Sequence, residues 1–272
     1  MTRAILLGAA GAVLSVALLA GGYVAGRPAA AQAEDLPQQV AEATGEQLSR
    51  KDVENIVREY LLANPEVLLE VQKALDAKQK EQQRIAQLSV IKDNKDKLFS
   101  LPTDGVIGNP DGTVTMVEFF DYNCGYCKRA MDDMLTLLKD DPKLKVVLKE
   151  FPVLGPGSVE AAQVAVAVHM QDKTGKKYLE FHQKLLGGRG EANKARALAV
   201  AKDIGLDMAR LDKDLASPEV KAALQESFKL AEALGLNGTP SYVIGDKVII
   251  GAVGLEALQE GINNARCGKP AC

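Results

Sequence analysis

Thr113-Val114-Thr115-Met116-Val117-Glu118-Phe119-Phe120-Asp121-Tyr122-Asn123-Cys124-Gly125-Tyr126-Cys127 is the most informative stretch of this 272-residue chain. Its first half is a near-continuous apolar, β-branched and aromatic run, the pattern of a central strand buried on both faces. Chain direction changes at Asn123. Met131, Met134, Leu135 and Leu138 then recur at helical spacing, so the two cysteines sit where a strand hands over to a helix. A helix N-terminus presents unpaired N–H groups and partial positive charge, which favour a thiolate. Cys124 is therefore expected to be the exposed, attacking sulfur. A Cys-x-x-Cys pair is also half of a structural zinc site, but such a site needs four closed ligands. Between a buried strand and a helix the pair reads as a redox couple, so no metal is expected, and no cofactor beyond the Cys124–Cys127 disulfide.

The formal net charge is -3, which gives no basic footprint for nucleic acid or an anionic membrane surface. Met1-Thr2-Arg3, an uncharged Ala/Leu/Val/Gly-rich run from Ala4 to Gly26, and Ala31-Gln32-Ala33 read as a signal peptide, residues 1–33, cleaved after Ala33. The run is also long enough for an uncleaved anchor. Either way the rest of the chain is expected to be exported. Four cysteines are too few for a disulfide-stapled scaffold of this length.

Glu34 to Gln47 is polar and without apolar periodicity, a disordered leader. Ser49 with Asp52 resembles a capping box, and Val53, Ile56, Val57, Tyr60 and Leu61 mark one apolar face. Asn64-Pro65-Glu66 reads as a helix restart with Asn64 as N-cap and Pro65 at the first helical position. Val67, Leu68, Val71 and Leu75 follow as a stripe. From Asp76 to Arg84 the helix turns polar all round, and an apolar face returns weakly at Ile85 and Leu88. Helices this short cannot bury their apolar faces on each other alone. The faces could dock on the same chain's main domain, or pack against copies of themselves as an oligomerising stalk. The polar rod favours the stalk, and with it a homo-oligomer, dimer or trimer. The boundaries expected are a leader and stalk over 34–95 and a catalytic domain over 96–272.

Pro102 to Gly112 is turn chemistry, and Lys145 to Phe151 a second strand. Residues 158–234 carry only helical pattern: Val159 to Met170, Tyr178 to Leu186, Ala192 to Ile204, and a helix opened by Ser217-Pro218-Glu219 that ends near Gly235. Gly187-Gly188-Arg189-Gly190 has no strand before it, so it reads as a flexible connection rather than a phosphate loop. Ser241–Ile244 and Val248–Ile250, joined by Gly245-Asp246-Lys247, make a β-hairpin; Gly254 to Arg266 closes the chain as a helix. This α/β order is that of a thioredoxin-like fold with a helical insertion, preceded by an N-terminal helical oligomerisation stalk.

From about Val106 to Ala265 the chain resembles the DsbA superfamily of exported thiol:disulfide oxidoreductases. The resemblance rests on Glu118-Phe119-Phe120 before Cys124-Gly125-Tyr126-Cys127, and on Gly238-Thr239-Pro240 before the hairpin, which is similar to that family's cis-proline loop. It implies a cis Thr239–Pro240 bond beside Cys124, substrate binding at Thr239 and Pro240, and Glu118 as proton acceptor beneath Cys127. It further implies location in the periplasm, unfolded or misoxidised exported proteins as clients, and a membrane redox partner that resets the pair. Cys124 would form a mixed disulfide and Cys127 resolve it. Gly125 and Tyr126 tune the redox poise. With no His between the cysteines, a less extreme oxidant than DsbA is expected, where attacking-cysteine pKa values run from about 3.5 in DsbA to about 7 in thioredoxin. Gly-Tyr and the Thr before proline resemble the DsbC-type isomerases and ScsC-like relatives, implying a protein disulfide isomerase. A monomeric DsbA-type oxidase, a copper-binding protein using the same thiols, and a holdase remain the alternatives.

Glu118 could instead be a core acid paired with Lys149. His169 and His182 read as packing residues. Cys267 and Cys272 read as a small terminal disulfide with little effect on stability.

Overall fold

The computed structural model describes residues 48–272, Lys173 apart; the signal-peptide and leader readings over 1–33 and 34–47 lie outside them. By its contacts the chain falls into two units that divide between Leu75 and Asp76. No described helix is long and apolar enough to cross a membrane.

The first unit holds helix α1 (Arg50–Ala63) and the opening turns of α2 (Glu66–Asp93). Ser49 begins α1 through a capping box: its Oγ accepts from the Asp52 N–H, and the Asp52 carboxylate accepts from the Ser49 N–H at 3.0 Å. Asn64 departs from its expected role. It closes α1 instead of opening α2, its backbone N–H and its Nδ2 both donating to the Tyr60 carbonyl at 2.8 and 2.9 Å. The last carbonyls of a helix lack intrahelical partners, and the amide of Asn64 satisfies one of them. No residue of α1 is buried, and Tyr60, Leu68 and Val71 are each more than half exposed.

α2 runs unbroken for 28 residues. Its apolar anchor falls one to two turns beyond the expected Ile85, which is exposed: Ile91 is the buried residue, packed in one cluster with Leu98 of α3 (Lys95–Phe99) and with Val117 and Phe119.

The second unit is built on a five-stranded sheet of order β1-β3-β2-β4-β5, with β1 Gly105–Gly108, β2 Val114–Phe120, β3 Leu144–Glu150, β4 Ser241–Ile244 and β5 Lys247–Ile250. Only β2 and β3 are parallel. A parallel pair needs a crossover, supplied by α4 (Gly125–Asp140). β1 lies inside the stretch expected to be turn only. Its two glycines disguise it, and Gly105 has a tertiary cause: a Cβ there would sit 2.0 Å from the Tyr178 ring. The hairpin loop is also tighter than expected, since Lys247 pairs with Ile244 and leaves Gly245-Asp246 as the turn.

Side chains alternate across the sheet. Val117, Phe119, Val147 and Val243 face one cluster, covered by Ile91, Leu98 and the Leu230–Leu234 end of α9 (Pro218–Ala233). Met116, Phe120, Val146 and Leu148 face the other, which α4 and the insertion cover. The insertion comprises α5 (Pro156–Gln171), α6 (Lys176–Gly187), α7 (Lys194–Asp203), α8 (Met208–Leu215) and α9; α8 escaped the sequence reading although Met208, Leu211 and Leu215 recur at helical spacing and pack on the core. α5 is apolar nearly all round and buried nearly all round, as its Ala/Val run required. α10 (Leu255–Cys267) closes the chain.

Candidate active site at the head of helix α4

Asp121 organises the turn between β2 and α4. One carboxylate oxygen accepts from the Asn123 N–H (2.7 Å) and Ser158 Oγ (2.7 Å), the other from the N–H groups of Val153 and Leu154 at 2.8 and 2.9 Å. Asn123 extends the tie to the insertion, donating Nδ2 to the Ala192 carbonyl (2.9 Å) and accepting from the Ala192 N–H (2.7 Å). The sequence reading marked Asn123 as the point of chain reversal but gave neither residue its partners. Asx side chains at a chain reversal were the available signal, but their partners lie far along the chain.

Cys124 is the N-cap of α4, and both it and Cys127 are free thiols. The expectation of an exposed attacking sulfur needs correction: Cys124 is only 7% exposed, although Cys127 is sealed at 0%. The Thr239–Pro240 bond is cis, and Cys124 Sγ lies 3.2 Å from the Thr239 carbonyl oxygen, to which the thiol donates. One contact of the sulfur thus comes from chain more than a hundred residues away.

The electrostatics separate the two thiols. Cys124 is lowered to about 5, foremost because the Cys127 thiol donates to its thiolate; burial opposes this, and the Thr239 side chain and the N–H groups of Cys127 and Tyr126 add to it. The same sulfur–sulfur hydrogen bond pushes Cys127 far up, with burial and the charge of Glu118 adding. Gly125 has open space where a side chain would stand, and Tyr126 is exposed with the Arg129 guanidinium 4.4 Å over its ring.

Glu118 is buried in the sheet between Leu148 and Tyr242. It does not pair with Lys149, whose ammonium donates instead to Asp104 at 2.5 Å. Strand alternation explains this: Lys149 shares the register of Phe119, on the opposite face from Glu118. Burial, with the Cys124 charge second, raises Glu118 to about 8. The native state then holds a proton that the unfolded chain releases near pH 4.5, so this contribution to stability falls as pH rises from about 4.5 through 8. Glu118→Gln is expected to remove that fall, on the order of a few kcal/mol, measured as chemical denaturation of both proteins between pH 5 and 8. Parallel pH curves would show that Glu118 is ionised in the folded protein.

Behind the turn lies a buried polar cluster that sequence reasoning missed. Glu150 accepts from the hydroxyls of Tyr178 and Tyr122 at 3.0 and 3.5 Å, and burial holds it well above the usual carboxylate range. His182 packs edge-on against Phe120, 4.7 Å between centroids, and His169 against Tyr178 at 5.5 Å; both are buried. At the end of the chain Cys267 and Cys272 are joined by a disulfide.

Residues 115–263 match the DSBA-like thioredoxin domain, and residues 50–82 the copper resistance protein ScsC N-terminal domain. A probable disulfide bond formation protein D from Bacillus cereus is 30% identical over 58% of this chain and 79% of its own. A thioredoxin-like oxidoreductase from Silicibacter pomeroyi has a structure 45% identical in sequence, covering 64% of this chain and 98% of its own at a TM-score of 0.60. Proteus mirabilis ScsC in a transitional conformation is 30% identical, covering 80% of this chain and 97% of its own at a TM-score of 0.61. The chain spans only about a quarter of other curated relatives, Na(+)/H(+) antiporters such as NhaA 1 of Salinispora arenicola, which is 29% identical over 61% of this chain and 25% of the antiporter.

Proposed function

The chain belongs to the DSBA-like thioredoxin-domain family, and from that premise we propose that it is a thiol:disulfide oxidoreductase acting on disulfides of exported proteins, as an oligomeric disulfide isomerase or reductase. The observation that carries the reading is the geometry at the head of α4, where Cys124 is the N-cap, 3.2 Å from the Thr239 carbonyl of the cis Thr239–Pro240 bond, and Cys127 is sealed one turn along; this lowers Cys124 to about 5 and pushes Cys127 far up. At neutral pH the first is a nucleophile and the second a proton-bearing thiol held in reserve.

In the proposed cycle Cys124 thiolate attacks one sulfur of a client disulfide and releases the other as thiolate, leaving a mixed disulfide. Cys127 then loses its proton and attacks Cys124 Sγ. The client leaves reduced, and the protein holds the Cys124–Cys127 disulfide. Glu118, beneath the pair, is the proposed acceptor of the Cys127 proton in its ionised form, which the mixed disulfide favours because it removes the Cys124 charge that helps raise Glu118 to about 8. The Thr239-Pro240 segment offers the client backbone an edge beside the sulfur, and Gly125 and Tyr126 set the poise. A membrane redox partner would reset the dithiol. The N-terminal sequence pattern supports export to the periplasm, with residues 1–33 as signal, 34–95 as leader and stalk, and 96–272 as catalytic domain.

The isomerase reading leans on the exposed stripe of the first unit, which fits a self-associating stalk. Reactivation of scrambled ribonuclease, run beside oxidation of reduced ribonuclease, tests it: the scrambled substrate is expected to be the better one. Efficient oxidation without reactivation of scrambled enzyme would make the protein an oxidase.

A further inference from the structure

Gly187-Gly188-Arg189-Gly190, expected to be a mere flexible connection, runs beside the reactive sulfur. A groove of about 290 Å³ is bounded on one side by Tyr122 to Gly125 and Lys128, and on the other by Leu186, Gly188, Arg189 and Gly190. The loop is held in place by cations reaching its carbonyl oxygens. Lys128 Nζ donates to Gly188 at 2.8 Å, and the Arg196 guanidinium to Arg189 and to Gly190. A Cβ at position 188 would fall on that guanidinium.

Two cations, Lys128 and Arg189, therefore line the groove that Cys124 opens into, in a protein whose net charge is -3. Neither is in an ion pair among the described residues, and no carboxylate lines the groove beside them. The acid next in sequence, Glu191, does not line the groove; its carboxylate lies against Gly157 in the first turn of α5. Asp121 is used up by four donors of the turn. The leading contributions to the Cys124 thiolate are hydrogen bonds from Cys127, Thr239 and the backbone, not these cations. Their charge is left for something that arrives from solution.

We propose that this groove is a specificity subsite for carboxylates, so that client polypeptides carrying Asp or Glu close to the reacting cysteine are attacked faster than neutral or basic ones. The proposal rests on Cys124 being the attacking sulfur. Unpaired cations in a cleft concentrate anionic partners and raise encounter rates, by ~10- to 1,000-fold in strong cases, an effect that salt removes. A carboxylate near the client sulfur would bind Lys128 and Arg189 while Cys124 attacks, forming the Cys124–client bond as the client S–S bond breaks and its other sulfur leaves as thiolate; attack by Cys127 then releases the client with both electrons and forms the Cys124–Cys127 disulfide.

The test uses the reduced full-length protein and three peptide disulfides that differ only in an Asp, Gln or Lys pair flanking the cysteine, followed by single-turnover kinetics. The acidic peptide is expected to react roughly tenfold faster than the basic one at low ionic strength. At 1 M salt, where the Debye length is about 3 Å, the ratio should fall toward one. The double variant Lys128→Gln, Arg189→Gln should lower the acidic-to-basic ratio at low salt as well, a quantity that a change in thiolate pKa does not move. Equal rates for the three peptides, or a ratio unaffected by both salt and the double variant, would overturn the proposal. Glutathione disulfide is the fourth probe: if it outpaces the acidic peptide, the groove serves a small anionic disulfide and the polypeptide assignment is wrong. A protein that reduces none of the four fails instead the oxidoreductase reading on which the proposal rests.

Discussion

Cys124→Ser is expected to lower disulfide-exchange rates by ~10³-fold or more, the scale on which loss of a catalytic nucleophile is felt, while Cys127→Ser accumulates mixed disulfides with clients. The asymmetry follows from the site. With Cys124 lowered to about 5, nearly every molecule carries the attacking thiolate at pH 7, and a serine hydroxyl cannot replace it. Cys127 is fully buried and its proton is held tightly, so its loss leaves the first attack intact and removes the exit. Alkylation of the reduced protein should show one fast thiol, half-maximal near pH 5. The pH dependence of stability has a definite sign here. The folded protein releases the Cys124 proton near pH 5, whereas an ordinary cysteine holds it to about 9. The reduced form therefore gains stability as pH rises from about 5 to 9 and loses it again on acidification through 5. Cys124→Ser should be flat in that window once the opposing slope of Glu118 is subtracted. A faster-alkylating Cys127 would reverse the assigned roles.

The second large effect is expected from the N-terminal unit. Removing residues 34–75, up to the division before Asp76, should leave a folded monomer that keeps its fast thiol. Ile91 and Leu98, which belong to the core of the second unit, are retained. Scrambled-ribonuclease reactivation should fall by at least ~10-fold, since holding a wrong disulfide while it is attacked again relies on the effective concentration of linked sites. Simple oxidation should rise as upstream partners reach the dithiol. The paired substitution Val71→Asp, Leu75→Asp should reproduce both changes without shortening the chain. Sedimentation of the intact exported form as a monomer would refute the stalk.

Much of the architecture was readable because its signals are local. Thr113 to Phe120 is an unbroken strand signal, and Val114–Phe120 is buried at all but one position; the capping box at Ser49 and Asp52 is complete within four residues. The thioredoxin-like order follows from a run of such segments, and the Cys-x-x-Cys at a strand-to-helix junction names the chemistry because the helix N-terminus is set by the same few residues. Where local patterns failed, two elements competed for one residue, as at Asn64, or packing overrode composition. β1 is hidden by two glycines, one of which exists to admit the ring of Tyr178, far along the chain.

The surroundings of the dithiol belong to tertiary structure alone. Lys149 was a fair partner for Glu118 on sequence, but strand alternation puts it on the other face with Asp104. Asp121, Asn123 and Glu150 become organising residues only when Leu154, Ala192 and Tyr178 arrive beside them. The same closure lays Thr239 and the Gly188–Gly190 loop against Cys124. Residue identity fixes what a side chain can donate, accept or repel within a turn or two of itself. Which carboxylate is left neutral, which sulfur keeps a charge and which cations stay unpaired depend on burial and on distances across the fold, and those arise only once segments far apart in sequence have packed.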